Sequence, residues 1–402
     1  MKSETSRIAV IFHRFGPYHC ARLEAASHHC EVIGIELGSK TREYAWSEVP
    51  TSNSYTRVTL FPEKDGRTLP VPEVAKQIEK TLRDYKPDAV AIPGWSDKGA
   101  LAALRWCVNN GKPALLMSES AAHDEPRVWW KEFIKRTLMK LYSSALVGGQ
   151  RHIDYLVALG MPRDRVFVGY DVVDNKYFAR SANEVRSRKE EVRRKYGLAE
   201  NYFFASARFI EKKNLFALIR AYRDYQNAAG ESAWDLVLLG DGPLKSDLRR
   251  LISDLGLHDS VMLPGFKQYR ELAVFYALAN AFVHSSTSEP WGLVVNEAIA
   301  SSLPVIVSDR CGCVPELVRD GVNGFTFDPK DERELTSRLL ALASLPKNER
   351  ERFAQASREI ASRHGSDQFG KGLECAARAA LQLPRRKIHW TDRFVLDRLL
   401  FR

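Results

Sequence analysis

The 402-residue chain carries 60 Lys and Arg against 50 Asp and Glu, a formal net charge of +10, with 45% hydrophobic, 27% charged and 10% aromatic residues. At roughly 100–200 residues per domain this length calls for two domains, and the composition excludes a disordered, collagen-like or purely coiled-coil chain. The positive balance points to an anionic partner: a phosphate-bearing ligand, an acidic lipid or nucleic acid.

From Lys2 through Arg7 the chain enters a short apolar run ended by His13 and Arg14, which is not a signal peptide. No window approaches the 18 or so apolar residues of a spanning helix, so a soluble or surface-bound protein is expected. Six cysteines are too few for a disulfide framework, and Cys20, Cys30, Cys107 and Cys375 stand singly, which fits a reducing, cytoplasmic compartment. Cys311 and Cys313 lack a second pair at zinc spacing and read as small loop residues, with no metal site.

Short β-branched runs alternate with longer helical patterns, the signature of βα units on parallel sheets. The first series is Ile8–Phe12, Glu31–Ile35, Ala89–Ile92, Ala114–Met117 and Ala145–Val147. The second is Tyr202–Ser206, Leu236–Leu239, Val261–Leu263, Ala281–His284, Pro304–Ser308 and Gly324–Phe327. Between them the charged segment Arg180–Lys195 is either a solvated linker or the first helix of the second domain. The expected class is α/β, with two Rossmann-like domains over residues 1–178 and 179–370 and a basic helical tail over 371–402. Two such domains face one another across a cleft, and ligands bind outside the carboxyl ends of the strands.

The stretch from Ser286 to Val307 is the most informative. Glu289 lies in a loop closed by Pro290 and Gly292, and a helix starts at Leu293. Free N–H groups at that start, with the helix dipole behind them, suit a phosphate. Helical side chains lean toward the N terminus, so Glu297 can reach a hydroxyl beside it, as a carboxylate grips a ribose diol. Taken singly, Glu297 reads as a solvated helix residue and Glu289 as a cap. A second cationic loop follows Tyr202–Ser206, where Arg208 and Lys213 stand five residues apart before a helix, a pair suited to a diphosphate. Gly240-Asp241-Gly242-Pro243 and Pro264-Gly265-Phe266 are turns at strand ends where a backbone can approach a flat ligand.

Arg208-x4-Lys213, Gly240-Asp241-Gly242-Pro243 and Glu289-x7-Glu297 followed by Leu303-Pro304-Val305 together resemble family 4 of the retaining nucleotide-sugar glycosyltransferases, over roughly residues 200–330. The resemblance implies the two-domain GT-B fold and a donor site in the second domain. It implies that Arg208 and Lys213 bind the diphosphate, that Gly292 and Leu293 offer backbone amides, that Glu297 holds the ribose, and that Glu289 faces the donor sugar. In the first domain it implies donor contact by the loop at Gly16, although His13-Arg-Phe-Gly16-Pro-Tyr-His19 holds one glycine where the family has several. It also implies a hydrogen bond from His123 to the transferred sugar. His19 and Trp95 are candidate acceptor contacts, with packing as the competing reading for each.

No Asp-x-Asp occurs in the chain, so fixed cations and a helix start replace a metal in meeting the leaving-group charge. The expected activity is a metal-independent hexosyltransferase that needs no cofactor, with a nucleotide-diphosphate sugar as donor and a glycan or lipid-linked acceptor. Retention follows from the resemblance. The alternatives are an epimerase or phosphorylase of similar fold, or a basic nucleic-acid-binding protein. The last lacks any nucleic-acid motif, and no nucleic-acid partner is expected. A basic amphipathic pattern at 130–141 is expected to place Trp130, Phe133, Ile134, Thr137, Leu138 and Leu141 on one face, with Lys131, Lys135 and Arg136 opposite. Arg378–Arg402 adds seven cations against Asp392 and Asp397, with Trp390, Phe394 and Phe401 interleaved. An anionic membrane surface is therefore a further candidate partner, on the cytoplasmic side.

Overall fold

The computed structural model describes residues 6–40, 52–384 and 389–401. Lys2 and the tail residues Arg385, Arg386, Lys387 and Arg402 lie outside them. The chain divides into two compact units, Met1–Asp174 with Ser366–Arg402, and Asn175–Gly365.

The first unit holds β1 (Arg7–Phe12), α1 (Pro17–Ser27), β2 (Glu31–Gly38), β3 (Thr56–Phe61), α2 (Val71–Tyr85), β4 (Ala89–Pro93), α3 (Lys98–Asn110), β5 (Ala114–Ser118), α4 (Trp129–Met139), β6 (Ser144–Val147), α5 (Gln150–Ala158) and β7 (Val166–Val168). These strands form a parallel sheet of order β3-β2-β1-β4-β5-β6-β7. β1 shows why the strands read as unbroken apolar runs. Its Ala9 and Ile11 pack with Val74 and Leu101 on one face, while Ile8, Val10 and Phe12 pack with Leu23 and Leu373 on the other. A sheet covered on both faces leaves no polar alternation.

The second unit runs α6 (Asn175–Arg186), α7 (Lys189–Tyr196), β8 (Tyr202–Ser206), α8 (Leu215–Ala229), β9 (Asp235–Leu239), α9 (Lys245–Asp254), β10 (Val261–Gly265), α10 (Tyr269–Leu278), β11 (Ala281–His284), α11 (Leu293–Ala300), β12 (Val305–Ser308), α12 (Val314–Leu317), β13 (Gly324–Phe327), α13 (Glu332–Ala343) and α14 (Lys347–Ser362). Its parallel sheet has the order β10-β9-β8-β11-β12-β13. The chain then returns to the first unit as α15 (Ser366–Gln382) and α16 (Trp390–Leu400).

Both unit boundaries fall a few residues before the positions read from sequence. Phe178 lies on α6 and packs its ring against Tyr269 and Tyr276 at 5.4 and 5.8 Å, which commits that helix to the second unit. On the return, Phe369 and Leu373 of α15 join the β1 core, so the helix belongs to the first unit from its start. The charged segment Arg180–Lys195 is helical in α6 and α7, apart from a short turn, and is not a linker. On α4 the expected division of faces fails. Phe133 is 63% exposed, whereas Lys135 turns inward to hydrogen-bond Glu132 and the Tyr155 hydroxyl at 3.0 and 2.8 Å.

In the second unit the loop after β9 lies directly on the loop after β8: Phe209 N–H donates to the Asp241 carbonyl, and Leu244 N–H to that of Phe209. Gly240, at φ +142°, makes the approach feasible, because a Cβ there would sit 1.8 Å from the Ala207 carbonyl oxygen. Backbone clash and left-handed strain together predict that Gly240→Ala destabilises the fold by roughly 2–4 kcal/mol, while Gly111→Ala, with open space around it, costs roughly 1 kcal/mol. Urea denaturation midpoints compare the two.

Candidate active site

The second unit builds its site at the carboxyl ends of β8 and β11, where α/β sheets bind ligands. β8 runs out into Ala207-Arg208-Phe209-Ile210, and one turn of 3₁₀ helix, Glu211–Lys213, carries the chain to Asn214 and α8. Arg208 is exposed on this loop. β11 ends in His284, and the polar run after it is pinned to the first loop. Ser285 Oγ donates to the Lys213 carbonyl at 2.9 Å, and Thr287 N–H donates to the Lys212 carbonyl at 2.9 Å.

Glu289 sits where these loops meet. Its carboxylate is ion-paired with the Lys213 ammonium and accepts the Ser286 hydroxyl at 3.2 Å. Lys212 Nζ and His284 Nε2 lie 3.7 and 3.6 Å from it. Burial alone would raise this carboxyl, but the facing imidazole and the Lys213 charge outweigh burial and hold it far below the usual range. The same burial lowers His284 and keeps it neutral at pH 7, where Glu289 is fully ionised. The Glu289 backbone is fixed as well: it bridges to Cys311, and its carbonyl accepts Gly312 N–H at 2.9 Å.

Gly292 caps α11 at φ +106°, and a Cβ there would lie 3.6 Å from both Glu289 Cγ and Cys313 Sγ. Leu293 is the first residue of that helix. Glu297, one turn on, is 1% exposed, so it is not the solvated helix residue it resembles when read singly. Gly240 meets the protein's own backbone at Ala207, so its close approach serves to shape the Arg208 loop. Phe266 follows Gly265 at the end of β10 and is 38% exposed. Lys213, Glu289 and Gly292 are thus brought together directly, while Arg208, Gly240 and Phe266 stand on the neighbouring loops of the same sheet edge.

In the first unit, Gly16 and His19 form one device. Gly16 N–H donates to His19 Nδ1 at 3.1 Å at the start of α1, which leaves the ring proton on Nε2. The ring packs on Phe12 with centroids 4.4 Å apart. Burial, with Arg22 and His13 nearby, lowers its pKa to about 3. Gly16 stands in extended backbone, and its loop is held by Glu36, which sequence reasoning missed. This buried carboxylate accepts Phe15 N–H at 2.8 Å and both Arg57 Nε and Nη2, at 2.9 and 2.8 Å. The visible signal was a lone acid inside the apolar run of β2. Trp95 packs against the sheet core with Lys135 Nζ 5.9 Å from its ring, and His123 stands on the loop after β5, 3.9 Å from Asp124. His284 and Ser286 were missed too, although a histidine ending an apolar strand directly before the Glu289 loop could have been noticed. Among the described residues, no three or more His, Cys, Asp and Glu side chains are grouped to hold a metal ion.

Residues 188–360 match the family described as Glycosyl transferases group 1. The matched residues lie within the second unit and make up most of it. Over 127 residues the chain is 35% identical to the sulfoquinovosyl transferase SQD2 of Arabidopsis thaliana, covering 31% of this chain and 24% of that one. It is 31% identical over 140 residues to an alpha-monoglucosyldiacylglycerol synthase of Acholeplasma laidlawii, 34% of each chain. It is also 30% identical over 181 residues to a GDP-mannose-dependent phosphatidylinositol monomannoside mannosyltransferase of Mycolicibacterium smegmatis, 43% of this chain and 45% of that one. The chain therefore spans less than half the length of these curated relatives. Solved structures extend the likeness to both units at the level of fold. A Rickettsia africae glycosyltransferase superposes with TM-score 0.71 at 14% identity, covering 93% of this chain and 98% of that one. Anabaena HepE, solved with UDP and glucose, superposes with TM-score 0.70 at 17% identity over 92% and 98%. The architecture is GT-B, with two Rossmann-like domains.

The depressed His19 pKa has a defined consequence for stability. Unfolded, the imidazole titrates near 6.5, so the unfolded chain binds the extra proton first and stability falls as pH drops from about 6.5 toward 3. His19→Asn, whose amide oxygen can still accept from Gly16 N–H, should flatten that part of the urea stability profile; an unchanged slope would show that the imidazole does not titrate between the two states.

Proposed function

We propose that the protein is a retaining, metal-independent hexosyltransferase that moves a sugar from a nucleotide-diphosphate sugar to a glycan or lipid-linked acceptor, working on the cytoplasmic side and peripherally on a membrane. The observation that carries this reading is the Lys213–Glu289 ion pair set beside the Gly292 cap of α11. An ammonium next to free helix N–H groups is a preorganised site for a leaving diphosphate, and such a site needs no metal to meet the developing charge.

In this reading Lys213 and Arg208 take the diphosphate, the first amides of α11 from Gly292 and Leu293 bind its oxygens, and Glu297 holds the ribose diol. Glu289, ionised at every working pH, does not act as a proton donor. It tethers Lys213, accepts hydrogen bonds from sugar hydroxyls, and favours the positive charge that grows at the anomeric carbon. The acceptor hydroxyl attacks on the face from which the diphosphate leaves, and its proton passes to the leaving phosphate, which accounts for retention. His123 hydrogen-bonds the transferred sugar, the loop at Gly16 approaches the donor, and His19, neutral at pH 7, orders that loop. The lipid-directed names of two relatives support a lipid-linked acceptor, and UDP and glucose bound to HepE support the donor class.

A panel of nucleotide sugars, scored by mass spectrometry for released nucleoside diphosphate and glycosylated acceptor, tests the reading. Lys213→Ala and Glu297→Ala should each lower turnover by about 100- to 1000-fold with the fold intact. Wild-type turnover in both would refute the donor-site assignment. Activity should also survive excess EDTA, and loss restored by magnesium or manganese would refute metal independence.

A further inference from the structure

On the first unit, α4 and α16 lie against one another and leave an unusual surface uncovered. Trp129 and Phe133 of α4 are 81% and 63% exposed, and Trp390 and Phe394 of α16 are 71% and 59% exposed. Positions 129, 133, 136 and 140 share one helical stripe, so Arg136 and Lys140 continue the aromatic row of α4 with exposed cations. Positions 390 and 394 likewise share one face of α16, flanked by exposed Arg393 and Arg398. The inner faces of both helices are committed, since Leu138, Leu396 and Leu400 are buried in the sheet core. The aromatic residues are therefore not a core that failed to close. Large exposed aromatic patches mark interaction sites.

Beside this surface opens a cavity of about 380 Å³, at the amino-terminal edge of the sheet and thus at the opposite edge from the loops that follow the strands. Lys112 after α3, Lys140 at the end of α4, Arg165 before β7 and Arg393 of α16 line it, over an apolar floor that includes Val108 and Leu383. Among the described residues no acid lines the cavity. Arg393 and Lys140 belong to both features, which makes them one continuous site.

We propose that this face docks on an anionic phospholipid surface, with Trp129, Phe133, Trp390 and Phe394 at headgroup level and a lipid phosphate seated among Lys112, Lys140, Arg165 and Arg393. The proposal deepens the peripheral-membrane part of the reading above. The chemistry favours a bilayer over another macromolecule: amphipathic aromatic rings prefer the membrane interface, and each cation near an anionic leaflet adds attraction. The cavity supplies what a flat basic surface lacks, a concave place for one headgroup.

The test is flotation of the full chain with vesicles of phosphatidylcholine alone or with 30 mol% phosphatidylglycerol, roughly at and below physiological salt. It reads lipid binding without turnover, so its outcome is independent of whether glycosyl transfer occurs. Wild-type protein should float with the anionic vesicles at least about tenfold more strongly than with neutral ones. Both Trp390→Ser/Phe394→Ser and Lys112→Ser/Arg165→Ser should lower that binding by about tenfold or more, with melting temperatures held near wild type. Trp129→Ser/Phe133→Ser, on the other helix, guards against a local folding defect in α16 and should give the same loss. Protein that stays unbound, binds both vesicle types equally, or floats unchanged in all three double variants overturns the proposal. So does stabilisation by millimolar glycerol phosphate, lost in Lys112→Ser/Arg165→Ser, without any vesicle binding, since the cavity would then take a free phosphate.

Discussion

The second unit is organised around one largely buried ion pair. Glu289 is ionised in a place where burial opposes ionisation, and it stays so because Lys213, His284 and Ser286 converge on it from the ends of two strands. Removing Lys213 takes away the paired ammonium that most directly offsets the carboxylate's desolvation, and a poorly compensated, largely buried charge is a costly defect. The loops after β8 and β11 are therefore coupled by more than their backbone bonds. The same charge that joins them holds the Lys213 ammonium in position beside the capped start of α11, so structural and electrostatic requirements fall on one residue.

Backbone proximity gives the electrostatics their precision. The loop after β9 is seated on the loop after β8 through the glycine at 240, and the glycine at 292 brings the cap of α11 within contact distance of Glu289. Neither position tolerates a Cβ without displacing a neighbour or straining the backbone. The first unit solves a similar problem with a different device, since its loop after β1 is tied down by the buried Glu36 carboxylate and by the neutral His19 acceptor. In both units a polar group inside the protein fixes a loop at the carboxyl edge of a parallel sheet.

Much of this was legible in the sequence. All six strands of the second sheet were visible as apolar runs, because strands covered on both faces need nothing but apolar side chains. β3 was not, because Thr56–Phe61 pairs only with β2 at the sheet edge and carries Arg57, which reaches inward to Glu36. β7 is three residues long and leaves no periodic trace. The pairing of Lys213 with Glu289 joins residues 76 apart in sequence, and nothing local announces it. His284 and Ser286 stand only five and three residues from Glu289, and it is the turn of the intervening loop that brings them back onto its carboxylate. The faces of α4 were misassigned because a lysine stem can pack inward when its ammonium finds Glu132 and Tyr155, and periodicity counts Lys135 only as polar.

The central claim is that Lys213, held by an ionised Glu289, is the charge that receives the donor diphosphate. Calorimetric titration of the chain with ADP, GDP, CDP and UDP, followed by the variants with whichever nucleotide binds, tests it most directly. Lys213→Ala should weaken binding by about tenfold or more, the size of a lost charge-assisted contact. Glu289→Gln, which removes a nearby negative charge and leaves the ammonium, should bind at least as tightly as wild type. Equal affinity in wild type and Lys213→Ala, or a larger loss in Glu289→Gln than in Lys213→Ala, would contradict the account.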